Sequence, residues 1–523
     1  MMTLAFDRRS LLAAHPELLR TIRRGIEKEG LRVDTGGTLA RTPHPESLGA
    51  ALTNPHITTD YSEALLELVT SPDASPDALI GELTDIHTFV ALRNPGEAIW
   101  NQSMPAHLPA QADIPVAWYG TSNTGMLKHV YRQGLAWRYG KIMQCIAGVH
   151  YNFSLPEQAW DFLTPGSTPK ERRNAGYMGL IRNFMRHSWL LMYLFGASPA
   201  MSRSFLQNAG LEAQLTHLSP DTYCLPWATS LRMSDLGYKN PTQSELHLCY
   251  NDLDTFTARI HTAVTTPWPA YEAIGTHRDG QRIQLNTNIL QIENEYYATI
   301  RPKQTAGRCE RPNTILHQRG IQYVEVRCMD IDPWEPAGIS ADTSRFLDAF
   351  LLYCALEDSP LFPAPGTCQE SQANFALVAR EGRRPGLRLM REGQAVELQD
   401  WADRILTGIA PYAELLDQRS GDARHMDTLD QQHQKVQKPD ATPSARLLAA
   451  LRDSGQEFHD WTLAQSQAHW AALQARGLQA DTLAAYDQAA QDSLAEQAAL
   501  EASDTEGFED YVARFHAALV KAA

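Results

Sequence analysis

Several stretches of the chain alternate polar and apolar positions with a period of two. GIEKEGLRV puts Glu27 and Glu29 two apart, GVHYNFSL does so for His150 and Asn152, and YVEVRCMDI for Glu325 and Arg327. In RIQLNTNILQIENEYY, Gln284, Asn286 and Asn288 alternate with apolar residues, and Gln291, Glu293 and Glu295 follow in the same way. Successive side chains on a strand point to opposite faces, so each pair projects from one side while its neighbours enter the core. For any one segment, a half-buried sheet with its polar face in water is a sufficient account. Four segments carrying paired acids, a His and an Arg predict instead a sheet whose polar face floors an active site. ITTDYSEALLELVTSP differs, with Asp60, Glu63 and Glu67 at i, i+3 and i+7, the spacing of one helical face. A solvated acidic face is the plainer reading of that spacing. The most apolar run, WLLMYLFGASPAM from Trp189, spans 13 residues and is too short for a bilayer, so it predicts a buried helix end.

The mixed pattern continues to residue 415, which marks 1–415 as the catalytic body. From Arg419 the chain turns polar, in RSGDARHMDTLDQQHQKVQKPDATPS, and 416–443 is expected to be a linker or surface loop. Beyond it, 444–523 is rich in Ala, Leu, Gln and Glu with apolar residues three and four apart, which predicts a helical C-terminal region packed on the catalytic body. With 43% hydrophobic and 20% charged residues the chain can fill a core and has no disorder signature. A formal charge of −15 argues against nucleic acid as a partner, since a phosphate backbone needs a basic face. The seven cysteines, at 145, 224, 249, 309, 328, 354 and 368, include no C-x-x-C pair, which points to reduced thiols rather than a disulfide framework or a zinc site. Cys145 and Cys328, in strand-like surroundings, read as packing residues. Asp7, Arg8 and Arg9 interrupt any signal-like apolar segment, so a cytoplasmic protein without membrane attachment is expected.

Several carboxylates with one His and no thiolate suit a hard cation, Mg²⁺ or Mn²⁺, better than zinc. Mg²⁺ held in that way typically serves substrate phosphates, which directs attention to ATP. No G-x-x-x-x-G-K-[ST] loop, G-x-G-x-x-G fingerprint, H-E-x-x-H or G-x-S-x-G elbow is present. In YGTSNTGMLKH, Gly120 and Gly125 have P-loop spacing, but Met126 and Leu127 replace the residues that loop needs. The segment either lines a polar substrate through Lys128, Tyr131 and Arg132 or simply caps a helix. From the residues themselves the reading ends at an ATP- and Mg²⁺-dependent enzyme on a mixed sheet.

RGIEKEGLRV, ITTDYSEALLELVT, YGTSNTGMLKHVYRQGL, GVHYNFSLP, LFGASPA, ATSLRMSDLGY, LQIENEYYATIRPK, YVEVRCMDI and EGRRPGL, in this order from about residue 20 to 390, resemble the glutamate–cysteine ligase family of the proteobacterial type. The resemblance implies an α+β, glutamine-synthetase-like fold, with a curved, mainly antiparallel sheet carrying the active site on its concave face. It implies ATP-dependent ligation of L-glutamate, through γ-glutamyl phosphate, to L-cysteine, the first step of glutathione synthesis. By resemblance Glu27, Glu29, Asp60, Glu67, His150 and Glu325 hold Mg²⁺, with Mn²⁺ as a substitute. Arg327 then stabilises the transferring phosphoryl group, with Glu27 and Glu325 counted beside it as catalytic. Tyr131, Asn152, Arg232, Tyr238 and Tyr297 match positions of the cysteine pocket. The bland alternatives are core tyrosines for Tyr238 and Tyr297, a backbone-bonded core histidine for His150, and a structural pair with Asp235 for Arg232. The resemblance further leads one to expect a monomer and feedback inhibition by glutathione. Alternatives are a glutamate ligase taking ammonia or a polyamine, a guanidino phosphotransferase of the same fold, and a binding protein without turnover.

Overall fold

The computed structural model describes residues 8–207, 212–237, 242, 246, 248–307, 310–363 and 368–519. Its centre is a seven-stranded sheet. In chain order the strands are β1 (Arg23–Val33), β2 (Ile57–Thr59), β3 (Leu65–Val69), β4 (Ala98–Ile99), β5 (Val149–Ser154), β6 (Ile300–Lys303) and β7 (Tyr323–Met329). They lie side by side in the order β6-β7-β5-β1-β3-β2, with β4 on the end of β1, and every pairing is antiparallel. One face is apolar: Ile26, Leu66, Leu68, Tyr151, Phe153, Val324 and Val326 are fully buried, among helices α1 (Pro169–His187) and α2 (Ala341–Leu356). At about 1.5–3 kcal/mol for each large apolar side chain, this layer fixes the register, because a one-residue slip would turn it to water.

The opposite face carries the polar partners of each pair. Glu27 lies opposite His150, Glu29 opposite Glu67, and Glu325 opposite both Asn152 and Arg301. The three strand segments with period-two pairs, β1, β5 and β7, form as their alternation predicts. The run from Trp189 is a helix, Trp189–Phe195, with every residue buried.

Beneath the polar floor sits a buried ion pair. Arg24 of β1 and Asp348 of α2 have fully buried side chains, and the Arg24 Nε lies 2.7 Å from both carboxylate oxygens. The Tyr151 hydroxyl donates to the same carboxylate at 2.9 Å. Removing one partner leaves an uncompensated charge in the core. Asp348→Ala is therefore expected to destabilise the protein by about 3–5 kcal/mol, read as a lower urea midpoint. An unchanged midpoint would mean that the pair contributes nothing.

Three expectations are corrected. Residues 57–69 are not one helical face but the antiparallel pair β2 and β3 joined by a turn. The period-two alternation of LLELV governs, and Glu63 leaves the acidic set, accepting from the backbone N–H of His44 (3.0 Å) and Trp118 (2.7 Å). The 281–297 segment is mostly loop, with a two-residue strand at Gln281–Arg282 and a short 3₁₀ turn at Glu293–Glu295. Its amide side chains take over the role of a ladder: Asn286 donates to Gln291 O, Asn288 to Val264 O, and Gln291 accepts from Leu285 N. Residues 416–443 are not a loop. A helix from Leu398 runs to Ser420, Gly421 ends it in the left-handed conformation (φ 76°), and Arg424–Gln437 is again helical. Its buried stripe, His425, Thr428, Leu429, Gln432 and Val436, is largely polar, which conceals it from a hydrophobic pattern. Beyond it lie the expected helices Pro443–Ser454, Phe458–Arg476, Ala480–Ser503 and Phe508–Ala517.

Candidate active site on the polar sheet face

His150 is the centre of the polar floor. Its Nδ1 lies 3.4 Å from Glu27 Oε2 and 3.8 Å from Glu325 Oε1, and its Nε2 lies 3.6 Å from Glu29 Oε1. The backbone-bonded core histidine is thereby ruled out. Asn152 donates to Glu27 at 2.9 Å, and its own Oδ1 is buried with no partner among the described residues. Arg327 Nη1 donates to Glu325 Oε1 at 3.0 Å and lies 3.3 Å from His150 Nδ1. A β-bulge between Val326 and Met329 interrupts the β7–β5 ladder at this Arg, and Arg327 N donates instead to Thr299 O. Lys303, two residues beyond Arg301 on the edge strand β6, puts its ammonium 3.4 Å from Glu325 Oε2.

Two donor sets converge on this floor. Glu27, His150 and Glu325 form one, and Glu29, Glu67 and His150 the other, each with ligand atoms within 4.8 Å of one another. Carboxylates with a single imidazole and no thiolate fit Mg²⁺ or Mn²⁺. Asp60 is in neither set. It sits in the β2–β3 turn and lines the cavity beside Glu29.

Charge divides the acids into two groups. Burial opposes ionisation of Glu325, yet Lys303 and Arg327 hold it well below the ordinary carboxylate range. Glu27 is also lowered: burial and Glu325 push it up, but the His150 hydrogen bond and Lys303 outweigh them. Glu29 is raised, mainly by burial, and Glu67 is raised well above the ordinary range by burial and by Glu27, Asp60 and Glu29. The strand edge bearing the cations thus favours the ionised form of its carboxylates, and burial on the far side favours the protonated form of Glu67 and Glu29.

Above the floor opens a cavity of ≈ 660 Å³. Of the residues expected at the acceptor pocket, Tyr131, Arg232 and Tyr297 line it, together with Arg327, while Asn152 lies in the floor and Tyr238 falls outside the described residues. Arg232 does not pair with Asp235, which binds Arg380 instead; Arg232 donates to the backbone oxygens of Arg327 and Met329 and lies 3.6 Å from Asp330. The loop before Tyr131 is a helix cap, since Ser122 Oγ accepts from Gly125 N at the start of helix Asn123–Tyr139. That same helix delivers Tyr131 and Arg132 to the cavity. A second recess of ≈ 210 Å³ adjoins β6, with Phe256, Ile260, Pro302 and Leu316 as apolar walls and Arg301, Lys303 and Tyr323 as polar ones. Arg132, offered by the sequence as a possible substrate-lining residue, does line the cavity, whereas Arg301 and Lys303 escape the sequence reading. The alternation of IRPK carries the signal for the last two.

A larger cavity of ≈ 790 Å³ lies among helices, where Arg186 stacks on Phe362 and Arg391 on Trp401. It has no converging donor set among the described residues, so size does not select the site. All six described cysteines are buried and unbridged. Among the described residues no helix is long and apolar enough to cross a membrane.

The sequence model of the glutamate–cysteine ligase family matches residues 10–378. The chain is 62% identical over 516 residues to the glutamate–cysteine ligase of Bordetella parapertussis, covering 98% of each. It is 53% identical over 524 residues to that of Azotobacter vinelandii, again covering 98% of each. A crystal structure of the Francisella tularensis glutamate–cysteine ligase in complex with AMP superposes with a TM-score of 0.89 at 37% identity, over 95% of this chain and 97% of that one. The Pasteurella multocida bifunctional glutathione synthetase shares the fold alone, with a TM-score of 0.70 at 24% identity over 89% of this chain and 55% of that one. The architecture built on the antiparallel sheet is accordingly shared with these structures, and the chain belongs to the glutamate–cysteine ligase family.

Proposed function

We infer that this chain joins the γ-carboxylate of L-glutamate to the amine of L-cysteine, with ATP converted to ADP and phosphate. The observation that carries this reading is that the His150-centred acid cluster and Arg327 share one sheet face in a chain 62% identical, end to end, to a glutamate–cysteine ligase. In the first step a γ-carboxylate oxygen attacks the γ-phosphorus of ATP, the bond to the β-phosphate oxygen breaks, and γ-glutamyl phosphate and ADP form. In the second, the cysteine nitrogen attacks the acyl carbon and inorganic phosphate leaves.

Mg²⁺, or Mn²⁺ in its place, would be held by Glu27, Glu29, Glu67, His150 and Glu325 with Asp60 nearby, and would neutralise phosphate charge there. The chain's own contribution is positional and electrostatic. Arg327, anchored by Glu325, offers the rest of its fork to the transferring phosphoryl group. Lys303 and Arg301 extend the positive charge toward the smaller recess, whose apolar walls suit the nucleoside of ATP. Tyr131, Arg232 and Tyr297, with Tyr238 assigned by motif alone, form the acceptor pocket, and the orphaned Asn152 Oδ1 accepts from a substrate N–H. The reading extends to a cytoplasmic monomer and to glutathione competing for the substrate subsites.

The test is ADP release with Mg²⁺, ATP and L-glutamate, with and without L-cysteine, and the product identified by mass. Release that depends on cysteine and yields γ-glutamylcysteine is expected. Equal rates with ammonia or a polyamine would move the assignment to another acceptor. No release under any condition would leave a binding protein.

A further inference from the structure

The C-terminal end of the chain reaches back to the cavity wall. Glu501 accepts from Thr121 N at 2.7 Å, Asp504 accepts from Asn123 N, and Glu506 O accepts from the Asn123 side chain at 3.0 Å. These groups meet the start of helix Asn123–Tyr139, where exposed N–H groups and the helix dipole favour carboxylates. Gly120, at φ 80°, leaves them room, because a Cβ there would lie 2.2 Å from Glu501 Oε1.

The last helix, Phe508–Ala517, then binds the other wall. Glu509 pairs with Arg282 and lies 3.2 Å from His277, and His516 Nε2 is 3.2 Å from Leu285 O. Val512 closes a small apolar cluster with Val130 and Leu285, and Tyr131 packs on that cluster. The tie is doubled by Gln291, which accepts from Leu285 N at 3.0 Å and donates to Tyr131 O at 3.1 Å.

We propose that helix Phe508–Ala517 is a strap that sets the position of Tyr131 and the 281–297 loop, with Val512 as a positioning residue for the acceptor side of the cavity. The proposal rests on the assignment of Tyr131 to the acceptor pocket. Tyr131 and Tyr297 face the cavity from the two segments that the strap joins, while the carboxylates stand on strands with ladders of their own. Loosening the strap therefore moves the acceptor subsite and leaves the phosphate side in place.

The experiment measures kcat and the KM values for cysteine, glutamate and ATP in the full-length protein. Val512→Ala is expected to raise the cysteine KM about tenfold, since a displaced Tyr131 weakens binding of the acceptor equally in ground and transition states. The other two KM values and kcat should stay within about twofold, and Val512→Ile should restore the cysteine KM. Glu509→Gln, an exposed position that cannot disturb the core, should shift the cysteine KM the same way by about threefold, and it serves if Val512→Ala does not fold. Tyr131→Ala separates the two claims. If it raises the cysteine KM while Val512→Ala and Glu509→Gln leave it unchanged, the strap is overturned and the pocket stands. If Tyr131→Ala leaves the cysteine KM unchanged, the pocket assignment fails and takes the strap with it. A fall in kcat with every KM intact would reduce the helix to a structural prop and overturn the proposal.

Discussion

Arg327→Ala is expected to lower kcat for ADP formation about 10³-fold, the order of effect of an arginine that meets a transferring phosphoryl group. The transition state of that transfer spreads negative charge over the equatorial oxygens, and a fixed guanidinium in a water-poor cleft stabilises it without reorganising. Arg327 is fixed on both counts: Glu325 anchors Nη1, and the bulge in β7 aims the side chain. Burial by itself would disfavour its charge, but Glu325, Glu29 and Glu27 raise its pKa, so it stays protonated through the working range. Arg327→Lys should recover little, because a point ammonium cannot reproduce the planar fork. Removing the guanidinium takes from Glu325 one of its two ion-pairing cations and leaves Lys303, so the variant's far-UV dichroism and melting should be compared with wild type before its kinetics are read. A folded Arg327→Ala protein with wild-type kcat would remove Arg327 from the phosphate role.

The parts of this site that could be read from the chain are those built on regular strands. Glu27 and Glu29, His150 and Asn152, and Glu325 and Arg327 announce themselves because a strand has an exact spatial rule, two residues per repeat, and its other face is apolar. What the alternation cannot supply is neighbours: nothing local says that β7 lies beside β5 rather than β1. The acidic motif from Asp60 to Glu67 was misread because i, i+3, i+7 spacing also occurs by chance across a turn, and here Leu66 and Leu68 decide for a strand. The 281–297 loop alternates like a strand for a different reason, since its amides bond to backbone and replace a ladder. The helix Arg424–Gln437 hides behind a polar buried stripe. The resemblance to a family supplied what physics did not, namely which amine is the acceptor. Even so it did not single out Arg301 or Lys303, and Asp60, which it places among the metal ligands, lies in the β2–β3 turn, lining the cavity beside Glu29.

Glu67 carries the other large effect, through its proton. Its folded-state pKa is raised well above the ordinary value, first by burial and then by Glu27, Asp60 and Glu29. Glu29 is raised in the same direction. At these two sites the native state therefore binds more protons than the unfolded chain from the ordinary glutamate value of about 4.3 upward, and their contribution to stability falls as pH rises through that window. Buried histidines such as His44, His87 and His187, held below the ordinary imidazole value, act in the opposite sense over the same range. The effect of Glu67 is therefore read as a difference: from about pH 5 to about pH 8 the cation-free wild type should lose melting temperature relative to Glu67→Gln. A divalent cation would oppose this loss at the high end, because Glu67 and Glu29 would give up their protons to ligate it. Mg²⁺ affinity should rise with pH, and proton release should be visible as a buffer-dependent binding enthalpy. Glu67→Gln keeps the shape of the side chain but removes the titrating charge. It should remove Glu67's share of the cation-free pH dependence, lower the thermal gain from Mg²⁺, and cost more turnover than the roughly 100-fold upper range for a group outside the ligand set. A melting-temperature difference between wild type and Glu67→Gln that is flat across this range would show that Glu67 is ionised without a metal. A Gln variant that still gains full stability from Mg²⁺ would remove Glu67 from the donor set and leave Glu29 and His150 to hold the cation with Asp60, the acid that the sheet leaves at the turn.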